Sequence, residues 1–137
     1  MIGIGIVGSN YGRTVLLPAF RTDARCEVVA LAGSNAARTA EHARAANVAR
    51  GLGDWRALVD DPAVAAVAIA VPPDLQPAIA QRALDRGKPV FAEKPFAATD
   101  DPSLIPRPCS TTSSGLFVPP RITMFEYAPL IVSARVR

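Results

Sequence analysis

AVAAVAIAVPPDLQPAIAQRALDRGKPVFAEKP, residues 63–95, contains three elements in succession. Val64–Val71 is a nearly continuous apolar run, the composition of a strand covered on both faces. Leu75–Arg86 reads as a helix, closed by Gly87 at its C-terminal side. Pro89–Ala92 is the next strand. Strand, helix, strand implies a parallel pair joined by a right-handed crossover. Ligands of such sheets bind beyond the carboxyl ends of the strands. That draws attention to Pro72–Gln76 and to Glu93–Pro95.

The same alternation extends upstream. Ile2–Val7 is a strand. A helix follows from about Gly12 to Phe20, with Pro18 expected to end or kink it. Glu27–Ala32 is a second strand, and Ala36–Ala46 a helix capped by Ser34 or Asn35. Asp54–Val59 is a short helix. The pattern predicts an α/β fold with a parallel sheet. Two more strand ends then join the candidate site: Gly8–Arg13 and Gly33–Arg38.

GSNYGR, residues 8–13, departs from the dinucleotide fingerprint G-x-G-x-x-G, which would place glycines at 8, 10 and 13. Gly8 allows a tight exit from the strand. Asn10 stands where a glycine normally lets the backbone approach the phosphates, and Asn tolerates left-handed angles better than most residues. Arg13 replaces the small residue of close helix–strand packing, and its guanidinium could instead snorkel outward. The stretch fits a pyrophosphate on backbone N–H groups at a helix N-terminus. It fits an ordinary strand–turn–helix corner equally well. At the second strand end, an NAD site usually has a carboxylate about 20 residues after the first glycine. Ala32-Gly33-Ser34-Asn35 has none, and Arg38 follows one helical turn on. A hydroxyl and a cation without a carboxylate suit a 2′-phosphate, hence NADP rather than NAD. The alternative is that Ser34 and Asn35 only cap the helix and Arg38 is solvated.

Together, IGIGIVGSNYGR, VVALAGSNAART, DWRALVDDPAVAAVAIAVPPDLQPAIAQRALDRGKPV and FAEKPFAATDD resemble the N-terminal domain of the Gfo/Idh/MocA oxidoreductases. The resemblance implies a Rossmann-like domain, an α/β doubly wound parallel sheet, that binds NAD or NADP. It also implies hydride transfer on a sugar, polyol or related carbonyl compound. By position, Lys94 matches the catalytic lysine of the EKP motif, near nicotinamide and substrate. An ammonium there can polarise a carbonyl or a developing alkoxide. Glu93 and Pro95 would position it. Val71, Pro72 and Pro73 match the loop along the cofactor, and Gln76 stands where many members carry histidine. The expected cofactor contacts are therefore Gly8, Ser9, Asn10, Tyr11, Gly12, Arg13, Ser34, Arg38, Val71, Pro72, Pro73, Gln76, Glu93, Lys94 and Pro95.

Family members continue after EKP into a second, substrate-binding domain, which is absent from this sequence. Residues 1–101 hold 23 alanines and residues 102–137 only 2, so the chain divides there. The first part reads as the NAD(P)-binding domain. The second reads as an irregular Pro/Ser/Thr-rich tail, in which Phe117-Val118 and Ile122–Phe125 are possible short strands. A shifted reading frame over 102–121, or a shortened relative, would produce such a change. A module that holds cofactor without turnover and an inert fragment are the alternatives to an active enzyme.

Net charge is +3, with 11 basic and 11 acidic side chains in residues 1–101. That balance argues against a nucleic-acid partner. No apolar stretch reaches the roughly 18 residues of a membrane span. Cys26 and Cys109 lack metal or disulfide spacing and suit a reducing, cytoplasmic compartment. His42, the single histidine, is expected to be solvated. A homo-oligomer is compatible with all of this.

Overall fold

The computed structural model describes residues 1–93 and the backbone of 122–125. Its strands are β1 (Ile2–Val7), β2 (Cys26–Ala32), β3 (Arg50–Leu52), β4 (Ala66–Ile69), β5 (Val90–Glu93) and β6 (Ile122–Phe125). A π-helical turn, Gly12–Leu16, runs directly into α1 (Leu17–Arg21). The other helices are α2 (Ala36–Ala45), α3 (Trp55–Asp60) and α4 (Gln76–Asp85).

All six strands are parallel, in the order β3-β2-β1-β4-β5-β6. This is the strand order of the doubly wound dinucleotide-binding fold, and the order reverses between β1 and β4. Each face of the sheet carries its own core. Ile4 and Ile6 of β1 meet Leu16 and Leu17 of the first helix, together with Val28 and Leu31. On the other face Val67 and Ile69 of β4 pack with Leu58, Val59, Ile79 and Leu84 of α3 and α4. Each fully buried Leu, Ile or Val is worth about 1.5–3 kcal/mol over its exposed state. β1 and β4 divide their alternate side chains between the two faces, as a doubly covered strand requires. In β2 the register with β1 skips one residue, so that Ile4 faces Val28 and Gly5 faces Ala30. This bulge at Val29 lets Val28 and Leu31 reach the same core.

Local chemistry fixes the helix ends. Asn35 Oδ1 accepts from the Arg38 N–H at 2.9 Å, so Asn35 rather than Ser34 caps α2. Asp54 does the same for α3 through the Arg56 N–H. Gly87, at φ 70, ends α4. Its N–H reaches Leu84 O and the Lys88 N–H reaches Ala83 O, the paired bonds of a Schellman turn. Lys88 Nζ donates to Val59 O at 2.5 Å and Asp61 O at 2.6 Å, tying the end of α3 to the α4–β5 turn. Arg82 and Arg86 both pair with Asp60.

The structure differs from the sequence-based expectation in several places. Pro18 does not end the helical run, which changes from π to α geometry just before it. It enters within the first two residues of α1, where its missing N–H leaves no partner unsatisfied. β3 has no counterpart in the expectation. His42 is half-buried, with Nδ1 enclosed, rather than solvated. Ile122–Phe125 does form a strand, at the edge of the sheet beside β5. An edge position requires hydrogen bonding on one side only. Phe117-Val118 and the remainder of the expected tail lie outside the described residues.

Candidate nicotinamide dinucleotide site

The carboxyl ends of β1, β2 and β4 converge at the point where the strand order reverses. Gly8 leaves β1 at φ 116, its N–H on Ala32 O of β2 at 2.8 Å. The Ala70 N–H, just past β4, donates to Val7 O at 2.8 Å. A Cβ on Gly8 would overlap the Ala70 carbonyl oxygen. Only glycine fits, both for the angle and for the space.

Ser9 is buried next to Gly33. Asn10 is exposed, and its carbonyl accepts from the Thr14 N–H at 3.1 Å and from Thr14 Oγ1 at 3.2 Å. Asn10 is not left-handed; among the described residues Asn47 is the non-glycine residue with positive φ. Asn10 instead opens the helix, and Tyr11 already has helical angles, φ −60 and ψ −41. The N–H groups of Tyr11, Gly12 and Arg13 therefore lie in the first turn, at the positive end of the helix dipole. Tyr11 is exposed beside them.

Gly12, not residue 13, carries the close packing of helix on strand. It is buried, and a Cβ there would lie 2.5 Å from Ile6 Cγ2. Gly8 and Gly12 thus take the first and third glycine roles of the fingerprint with three intervening residues instead of four. The Leu17 N–H reaches back to Gly12 O, an i→i−5 bond. Such a turn holds one residue more than an α turn. The loop is one residue shorter, and the helix behind it is one residue longer. Arg13 is half-buried, with Nε enclosed and without a hydrogen-bond partner.

At the end of β2, the Gly33 N–H donates to Leu52 O at 3.0 Å. A Cβ on Gly33 would lie 2.5 Å from Thr39 Oγ1 and 2.6 Å from Ser9 Oγ. A side chain at 33, including the carboxylate of an NAD site, would require the Thr39 and Ser9 hydroxyls to shift. Ser34 and Arg38 are exposed. No carboxylate occurs in Gly8–Arg13 or Gly33–Arg38, whereas Arg13 and Arg38 supply two cations.

After β4, Val71 and Pro73 are half-buried and Pro72 is exposed. Gln76, only 2% exposed, donates from Nε2 to Val71 O at 3.0 Å. It braces this loop from beneath. Glu93 is the half-buried last residue of β5. Lys94 and Pro95 lie outside the described residues. Thr39 is a site-region residue that the sequence reading missed. Its position in mid-helix, without a motif around it, offered no signal.

Gly8 permits the tight exit from β1 and Gly12 the close approach of helix to strand, and the first-turn N–H groups behind them fit a bound pyrophosphate. A family model for an oxidoreductase family with an NAD-binding Rossmann fold, Gfo/Idh/MocA, matches residues 2–102. The chain belongs to this family. Levoglucosan dehydrogenase from Pseudarthrobacter phenanthrenivorans is 34% identical over 106 residues, 75% of this chain and 27% of that protein. Biliverdin reductase from Synechocystis, solved with biliverdin and NADP+, is 38% identical at a TM-score of 0.64, over 72% of this chain and 31% of that one. KijD10, a 3-ketoreductase from Actinomadura kijaniata solved with TDP-benzene and NADP, is 29% identical at a TM-score of 0.64. The match covers 70% of this chain and 30% of that one. The chain thus spans between a quarter and a third of the length of these relatives. It is an NAD(P)-binding domain of the oxidoreductase type. Among the described residues, no helix is long and apolar enough to cross a membrane, and no cluster of His, Cys, Asp or Glu is suited to a metal.

Proposed function

We propose that the chain binds NADPH in preference to NADH, as the cofactor-binding part of an oxidoreductase acting on a carbonyl or alcohol carbon of a sugar-like compound. The observation that carries this reading is the end of β2. Position 33 is a glycine with the Thr39 and Ser9 hydroxyls packed against it, so it carries no carboxylate, and Arg38 stands in the first turn of α2. A ribose 2′-hydroxyl finds no carboxylate acceptor there, whereas a 2′-phosphate finds a cation and the Ser34 hydroxyl.

The first-turn N–H groups of Tyr11, Gly12 and Arg13 take the pyrophosphate, with the helix dipole favouring its charge. Gly8 and Ser9 shape the approach, and Asn10 flanks it. Val71, Pro72 and Pro73 wall the nicotinamide side, and Gln76 holds that wall in place. Bound nicotinamide would supply the hydride-transfer chemistry. Lys94, next in the chain after Glu93, is assigned the reacting oxygen, where its ammonium polarises a carbonyl or stabilises an alkoxide. The sugar-like substrate class rests on the dehydrogenase and ketoreductase relatives.

The chain's coverage of its relatives favours a second reading, cofactor binding without turnover by this chain alone. Titration calorimetry with NADPH and NADH tests the first. Tighter NADPH binding is expected, with Arg38→Ala weakening NADPH by about 10–100-fold, since a hydrogen bond to a charged group is worth about 1.5–3 kcal/mol. NADH should be unaffected. Equal affinities in the parent chain would refute the preference. Hydride transfer above background with sugars or polyols would exclude the second reading.

A further inference from the structure

Thr39 is 1% exposed, yet it carries a hydroxyl. Oγ1 donates to Asn35 O at 2.6 Å, and the Thr39 N–H reaches the same carbonyl at 2.9 Å. Asn35 is the residue whose side chain caps α2 by holding the Arg38 N–H. Thr39 and Asn35 thus clamp the turn that carries Ser34 and Arg38. Two glycines make room for Thr39. A Cβ on Gly33 would lie 2.5 Å from its Oγ1, and one on Gly51 would lie 2.5 Å from its carbonyl oxygen. Thr39 is therefore wedged between the ends of β2 and β3. Gly33 is also the point at which Ser9 of the phosphate loop reaches this corner.

We infer that Thr39 is a positioning residue for cofactor choice. Its buried hydroxyl fixes the first turn of α2 against the phosphate loop, so that Arg38 and Ser34 stand at a set place relative to the pyrophosphate. The inference rests on the NADP reading of that corner. A hydroxyl bonded to the carbonyl four residues back is common in helices and by itself affects only stability. What distinguishes Thr39 is its placement under the capping residue, in contact with both strand ends. A purely stabilising bond would influence NADPH and NADH binding alike, because both share the pyrophosphate and adenosine. A positioning bond influences only the cofactor that carries the 2′-phosphate.

The test compares NADPH and NADH affinities of the full chain with those of Thr39→Ser and Thr39→Ala. The alanine variant keeps the backbone bond to Asn35 O and adds no bulk, and far-UV circular dichroism verifies its fold. The expected result is that Thr39→Ser retains the NADPH:NADH affinity ratio. Thr39→Ala should lower that ratio by about fivefold, in the range set by one lost neutral hydrogen bond, with NADH affinity nearly constant. A ratio unchanged in Thr39→Ala would overturn the inference while leaving the NADP reading intact. So would a ratio lowered equally in Thr39→Ser, since that variant keeps the hydroxyl. If the parent chain has no preference for NADPH, the NADP reading fails and the role of Thr39 falls with it.

Discussion

Gly12→Ala adds one methyl group where the first helix presses on β1. The new carbon would lie 2.5 Å from Ile6 Cγ2, against about 3.5–4.0 Å for a comfortable carbon contact. The overlap is thus more than an ångström. Ile6 has no room to retreat. It is fully buried and held between Leu31 of β2 and Ala68 of β4 in the sheet register. Overpacking of this kind costs about 1–3 kcal/mol. Alanine regains up to about 1 kcal/mol over glycine through helix propensity. Because Ile6 cannot retreat, the upper half of the overpacking range applies, and the net loss expected is about 1–2 kcal/mol. Urea unfolding, followed by the fluorescence of Trp55 and by circular dichroism, measures it as a shift in midpoint at constant slope. Ile6→Ala removes the colliding Cγ2. Gly12→Ala in that background should therefore be neutral or stabilising, giving a coupling energy of about 1–3 kcal/mol. A fully stable Gly12→Ala, or a cycle additive within about 0.5 kcal/mol, would refute the assignment of the packing role to Gly12.

Four further outcomes follow from the geometry. Gly33→Asp, the substitution that would install a ribose carboxylate, should fail to create tight NADH binding and should lower stability, because its Cβ meets Thr39 and Ser9; a stable, NADH-specific variant would contradict this. Asp60 is held below the usual carboxylate range, chiefly by its hydrogen bond from Arg82 and then by the charges of Arg82, Arg86 and Lys88. Its contribution is fully present above the ordinary aspartate range and is lost as pH falls from there through the lowered value, so Asp60→Asn should flatten the acid limb of an unfolding-midpoint profile. Asp23, lowered to about 2 mainly by the Arg25 hydrogen bond, acts in the same direction, and the loss should extend down to that pH. Burial pushes the Lys88 ammonium below the ordinary lysine value, outweighing Asp61 and Asp60. The unfolded chain then holds more protons just below that value, so stability should rise with pH there, and Lys88→Met should abolish the rise.

The alternation of strands and helices was legible because each element carries its own signal. The apolar run before Val71 marks a doubly covered strand, Asn35 and Asp54 can cap, and Gly87 can end a helix. β3 carries no such signal. Arg50-Gly51-Leu52 is too short for a period and is a strand only because β2 offers Ala30–Ala32 as an edge, and because Gly51 admits the backbone of α2. The phosphate loop was legible in kind but not in register. A motif count fixes glycines at 8, 10 and 13, whereas the fold needs one where the helix touches Ile6, and that point depends on how the turn is wound. With an i→i−5 turn behind it, residue 12 reaches the strand and residue 13 is released from the packing. Asn10 is then no substitute for a missing glycine, since the shortened loop no longer contains the position where a left-handed residue would stand. If restoring one glycine between Asn10 and Tyr11 tightens NADPH binding and converts the π turn to an α turn, the contraction is a departure that weakens the site. If it weakens binding, the π turn is the form in which this loop holds phosphate.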